Sequence, residues 1–88
     1  MQFYTTTLNN GDSLNIVRAD GAQMISIEPN NSSSATFLGN LPFKGVAPTA
    51  ITLDANQVLT ITSSTPTSPL DGITVTCTNG TVDIVIGV

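Results

Sequence analysis

One thiol, two cations and six carboxylates are nearly all the reactive side chains in this sequence of 88 residues. Cys77 is the single cysteine, and no histidine is present to draw off its proton and leave a thiolate nucleophile. It alternates with Ile73 and Val75, a period that sets all three on one face of a strand. Cys77 therefore reads as a small buried hydrophobe. The serine runs Ser32-Ser33-Ser34 and Ser63-Ser64 lack an adjacent base and read as loops. Lys44, a conceivable base, sits in Leu41-Pro42-Phe43-Lys44-Gly45, whose proline and glycine mark an exposed loop. On these residues the chain is expected not to be an enzyme.

The carboxylates invite a metal test. Asp12, Asp20, Asp54 and Asp71 all fall at turn positions, where the side chain bonds nearby backbone. Asp54-Ala55-Asn56 opens like a calcium loop, but the glycine six and the glutamate twelve positions into that pattern are missing. Two loops meeting at one end of a sandwich are the remaining route to a weak calcium site. One cysteine without histidine cannot supply structural zinc, so no cofactor is expected. Sugar recognition would need an exposed aromatic, and the aromatics are Phe3, Tyr4, Phe37 and Phe43. Phe43 and Lys44, in the 39–48 loop, are the candidate ligand contacts. The other role for Phe43 is to cap one end of the core, since large aromatic area is normally buried.

Threonine indicates which elements must position these groups. Fourteen of the 88 residues are threonine, β-branched and polar, which suits the wet face of a pleated sheet. Turn dipeptides (Asn10-Gly11, Asp20-Gly21, Gly39-Asn40, Asp71-Gly72, Asn79-Gly80) punctuate short runs of period-two alternation. Eight strands are expected, over 3–8, 13–19, 22–28, 35–38, 50–53, 57–63, 73–78 and 81–86.

An Asn79-Gly80 type I′ turn predicts a hairpin with Thr78 opposite Thr81, Cys77 opposite Val82, Val75 opposite Ile84 and Ile73 opposite Ile86. Those six apolar residues then share one side, with Thr74, Thr76, Thr78, Thr81, Asp83 and Val85 on the other. The Asp20-Gly21 turn predicts a second hairpin with Leu14, Ile16, Ile25 and Ile27 inside. Val17 and Met24 would meet outside, flanked by Asn15 and Ser26, either as local sheet packing or as the edge of a subunit interface. A third hairpin would cross Asp54-Ala55-Asn56 and point Leu53, Leu59 and Ile61 inward. The longer links 29–34, 39–48 and 64–70 are then expected as the crossovers between two facing sheets. The fold class is all-β: a small antiparallel β-sandwich or jelly-roll-like barrel of about eight short strands, in one domain over 1–88.

Charge and size bound the partners. Arg18 and Lys44 stand against Asp12, Asp20, Glu28, Asp54, Asp71 and Asp83, for a net charge of −4. Two scattered cations cannot neutralise a run of phosphates, so neither nucleic acid nor an anionic membrane is an expected partner. The opening MQFYTTTLNNGDS has no basic n-region and no apolar h-region, and no apolar stretch is long enough to span a bilayer, so neither a signal peptide nor a transmembrane segment is expected. Three Asn-x-Ser/Thr triplets, at Asn30, Asn31 and Asn79, read as turns. A domain of this size buries only roughly 60–65% of its unfolded surface. No disulfide can form within the chain, so association between subunits is the expected support.

The segments TLNNGDSLNIV, DGAQMISIEP and LDGITVTCTNGTVDIVIGV resemble small virion proteins of tailed bacteriophages. These include capsid decoration proteins and small jelly-roll or sandwich modules of head fibres and tails. The resemblance covers most of the chain and lies in its Thr/Asn/Gly-rich short strands, its lack of histidine and its low charge. It carries no site residue across. It implies a structural protein of the virion, made in the host cytoplasm, that binds or builds a particle surface with other capsid proteins, often as a homotrimer. Val17, Met24 and Val85 are the candidate interface residues. The alternative is a small carbohydrate-binding β-sandwich module contacting sugar through Phe43 or Tyr4.

Overall fold

Alternating apolar and hydroxyl side chains give most strands one face to bury and one to leave wet. The computed structural model describes residues 1–39, 49–63 and 67–88. Its strands are β1 (Phe3–Asn9), β2 (Ser13–Ile16), β3 (Met24–Pro29), β4 (Ser34–Gly39), β5 (Thr49–Leu53), β6 (Leu59–Thr62), β7 (Ile73–Asn79) and β8 (Thr81–Gly87). All eight expected strands are present, and three are shorter than expected. The strand expected over 13–19 stops at Ile16 because a 3-10 turn follows, Arg18–Asp20. Asp20 closes that turn: its Oδ2 accepts the Val17 N–H (2.9 Å), and its own N–H donates to the Val17 carbonyl (3.0 Å). β3 and β6 likewise begin two residues later than expected, at Met24 and Leu59.

The strands form two four-stranded antiparallel sheets, ordered β1-β8-β3-β6 and β2-β7-β4-β5. Four of the pairs, β1·β8, β2·β7, β3·β6 and β4·β5, make one long ribbon with its tip between β4 and β5. Rolling that ribbon lays β8 on β3 and β7 on β4. This is the strand order of an eight-stranded jelly roll. The sandwich expected from sequence is therefore present.

The three expected hairpins are not. β7 and β8 lie in different sheets, as do β2 and β3, and β5 and β6. The short turns change sheet. The link 39–48, expected as a crossover, instead joins the consecutive strands that pair with each other, β4 and β5. The physical reason lies in phase. A one-residue corner at Gly80, with φ 72°, reverses the in–out alternation just as a two-residue hairpin would. Cys77 and Val82 face inward in either arrangement. In the rolled ribbon β8 bonds β1 and β3, and β7 bonds β2 and β4, so both strands satisfy their backbone groups on both sides.

The core follows the expected faces. Ile16, Ile25, Ile27, Leu53, Ile73, Val75, Cys77, Val82 and Ile84 are buried, and Leu14, Leu59, Ile61 and Ile86 pack partly buried against them. Phe37 is buried among them and occupies the largest volume. At the corners the ladder is continued rather than broken. Gly11 N–H donates to the Cys77 carbonyl and Cys77 N–H to the Asp12 carbonyl, both at 2.9 Å. The Thr81 N–H donates to Ser33 Oγ (3.0 Å), and Asn30 Nδ2 to Thr81 Oγ1 (2.9 Å). Among the described residues no buried side-chain nitrogen or oxygen lacks a partner.

Candidate functional site

The outer faces of the two sheets differ. On β2-β7-β4-β5 the register sets Ser13, Thr76, Thr36 and Thr52 in one row across all four strands. The hydroxyls there bond one another: Ser13 with Thr76 (2.9 Å), Ser34 with Thr78 (2.7 Å), and Thr74 donates to Asn15 Oδ1 (2.9 Å). This face is uncharged and mostly polar, with Leu38, 44% exposed, and Ala50 opposite it as its apolar members.

The outer face of β1-β8-β3-β6 is divided along its length. At one end the register places Phe3, Gly87 and Met24 in a row, with Thr5, Val85, Ser26 and Thr60 in the next. Phe3 is 60% exposed and Met1 72%, while Met24 and Val85 are half-buried. Gly87 is buried beneath them. A Cβ there would lie 2.5 Å from Met1 Sδ and 3.3 Å from Phe3 Cε1. The missing side chain is what lets Met1 and Phe3 lie down on the sheet. At the other end Glu28 lies directly opposite Asp83, and the Thr7 hydroxyl donates to Asp83 Oδ1 (2.8 Å). One face thus carries an apolar patch and, in the row next to that of Val85, an acidic pair.

Of the three candidate interface residues, Met24 and Val85 come together in this patch on adjacent strands. Val17 does not join them. It stands in the link leaving β2, 49% exposed, and β2 lies in the other sheet from β3, which carries Met24. The Val17–Met24 contact depended on the β2–β3 hairpin, and it fails with that hairpin. Phe43 and Lys44 lie outside the described residues. Sequence reasoning missed Phe3 and Met1. Alternation in β1 does group Phe3 with Thr5 and Thr7, but only the β1·β8 register brings it to Val85 and Met24. Tyr4 faces the core side of β1 yet is 55% exposed, because β1 is an edge that the second sheet does not cover there.

Asp12 and Asp20 take the expected turn roles, whereas the Asp71 carboxylate reaches a distant link instead. Asp12 accepts the Asn9 N–H (3.0 Å), Asp20 that of Val17 (2.9 Å) and Asp71 that of Arg18 (3.0 Å). At Asp54 it is the backbone that is held, its N–H by Gln57 Oε1 (2.8 Å). Among the described residues no three His, Cys, Asp or Glu side chains group to hold a metal ion, and no helix is long and apolar enough to cross a membrane. Cys77 is fully buried, its Sγ 3.3 Å from the Gly80 carbonyl oxygen. What this surface can do is bind by apolar contact and by strand pairing. No family model, curated protein or solved structure matches the chain.

Proposed function

We propose that this protein is a non-enzymatic structural module that associates with itself and binds a particle surface, as a decoration or fibre component of a tailed-phage virion. It would be made in the host cytoplasm, with other capsid proteins as its further partners. The observation that carries this reading is the apolar end of the β1-β8-β3-β6 face, where Met1, Phe3, Met24 and Val85 adjoin. Single exposed apolar side chains are common, whereas a contiguous group is the mark of a contact surface. Jelly rolls recur in viral capsids, which supports the reading only as an analogy of fold. Light scattering over a wide dilution series tests it. A homo-oligomer that survives dilution is expected, and a monomer at every concentration would overturn self-association.

A saccharide-binding module is the second reading, favoured by the 55% exposure of the Tyr4 ring. It requires a monomer that is retained on a saccharide column and released by Tyr4→Ala.

A further inference from the structure

The sheet β1-β8-β3-β6 ends in an edge strand with no device against pairing. β1 runs seven residues, with every one but Leu8 exposed. It holds no proline and no charged side chain, and its register with β8 is unbroken. Natural edges normally carry at least one such protection. The other edges are shorter, four residues in β2 and β6 and five in β5.

The ladder decides which backbone groups of β1 stay unpaired. Gln2 and Val88 exchange both hydrogen bonds, at 2.9 and 2.8 Å. Antiparallel pairs that exchange two bonds alternate with pairs that exchange none. In this register Tyr4, Thr6 and Leu8 therefore direct their N–H and C=O at β8, while Phe3, Thr5, Thr7 and Asn9 direct theirs outward. The outward groups of Asn9 are taken by the following turn: its N–H donates to Asp12 Oδ2 (3.0 Å) and its carbonyl accepts the Asp12 N–H (2.9 Å). Phe3, Thr5 and Thr7 remain, and their backbone groups bond no described residue outside β1.

That set is symmetric about Thr5. We propose that two copies of the chain join through β1, antiparallel about a two-fold axis at Thr5. Thr5 then faces Thr5 of the second copy and Phe3 faces Thr7, so every outward N–H and C=O of the three residues finds a partner. Sliding one way runs Phe3 into the closed Asn9–Asp12 turn, and sliding the other way pairs Thr7 with Met1, outside the strand. Tyr4 comes to lie against Thr6 of the second copy, which covers its exposed ring. No charged side chain lies on β1, so no like charges meet at the axis. This self-complementarity favours a second copy over a foreign strand, and a two-fold contact of this kind closes at two. The product is a dimer with one continuous eight-stranded sheet. The inference rests on the self-association proposed above and names its surface.

Light scattering of the full chain, beside Thr5→Pro and Thr5→Lys, tests it. Thr5→Pro deletes an N–H that β1·β8 does not use, which an edge strand tolerates. Thr5→Lys keeps the backbone and sets two ammonium groups face to face at the axis. The wild type is expected to be a dimer, and each variant to raise the dissociation midpoint about ten-fold or more with circular dichroism unchanged. In the wild type the Phe3, Thr5 and Thr7 amides are expected to exchange more slowly as concentration rises. An oligomer that Thr5→Lys leaves intact would overturn β1 as the joint while self-association stood. A wild type monomeric at the highest concentration would overturn both. If Thr5→Pro loses its fold, Thr5→Lys and the amide exchange decide the matter.

Discussion

Gly80 turns the chain from one sheet into the other within a single residue, and two physical terms make it glycine. Its φ is 72°, the left-handed region that a Cβ disfavours. A Cβ would also collide with the Ser33 hydroxyl and come within 3.2 Å of the Ser33 Cα. Ser33 cannot easily yield, since it is buried and its Oγ both accepts the Thr81 N–H and donates to the Asn31 carbonyl. Gly21 separates the two terms, because its φ is 68° but nothing lies within 4 Å. Urea unfolding is expected to show Gly21→Ala destabilised by about 1 kcal/mol and Gly80→Ala by about 2–4 kcal/mol. Equal losses would remove crowding at Ser33 from the account. At this scale much was legible in the sequence. Cys77 is buried as its alternation required, and Asp12 and Asp20 bond nearby backbone as turn aspartates do, while Asp71 holds the distant Arg18 N–H, which no local signal marked. Phe3 was not legible as a surface residue, since nothing local marks β1 as an edge.

Strands behave as the cross-strand rows dictate. On β3 and β8 Glu28 and Asp83 stand directly opposite, a like-charge pair that weakens the sheet. Glu28→Lys replaces it with an opposite-charge pair and lowers the net charge from −4 to −2. The variant is expected to gain roughly 0.2–1 kcal/mol in urea unfolding at low salt, a gain that shrinks as salt screens the exposed pair. A gain independent of salt would point away from charge. Most strands were legible because alternation survives in them; in β1 only Leu8 is buried, and its run of β-branched threonines marks the strand instead. Their ends were less so. The run 13–19 keeps plausible strand residues past Ile16, and it ends where Asp20 closes back on Val17 through both side chain and backbone.

The whole molecule pairs its first strand with its last. β8 gains its two neighbours only when β1 and β3, far away in sequence, have come beside it. Loop-closure entropy must be overcome before such contacts form. Stopped-flow refolding is therefore expected on the millisecond-to-second scale of non-local β-proteins. Completion within microseconds would contradict a fold organised by these pairs. The same topology places β1 at an edge and gathers Met24, Val85 and Phe3 on one face, while it carries Val17 away from Met24.

The sequence by itself determined the class and the inside. Ile73, Val75 and Cys77 in one phase, then Val82 and Ile84 in the other, require the alternation to reverse at Asn79-Gly80, and all five are buried. Only the tertiary structure decided which strand lies beside which. Backbone N–H and C=O groups are the same at every residue, so they carry no record of their partner. A reversal of phase is met equally by a hairpin and by a corner between sheets. What separates the two is the demand of the entire chain that β7 and β8 each be bonded on both sides around one closed core. That demand is a property of all eight strands at once, and no short stretch of residues can express it.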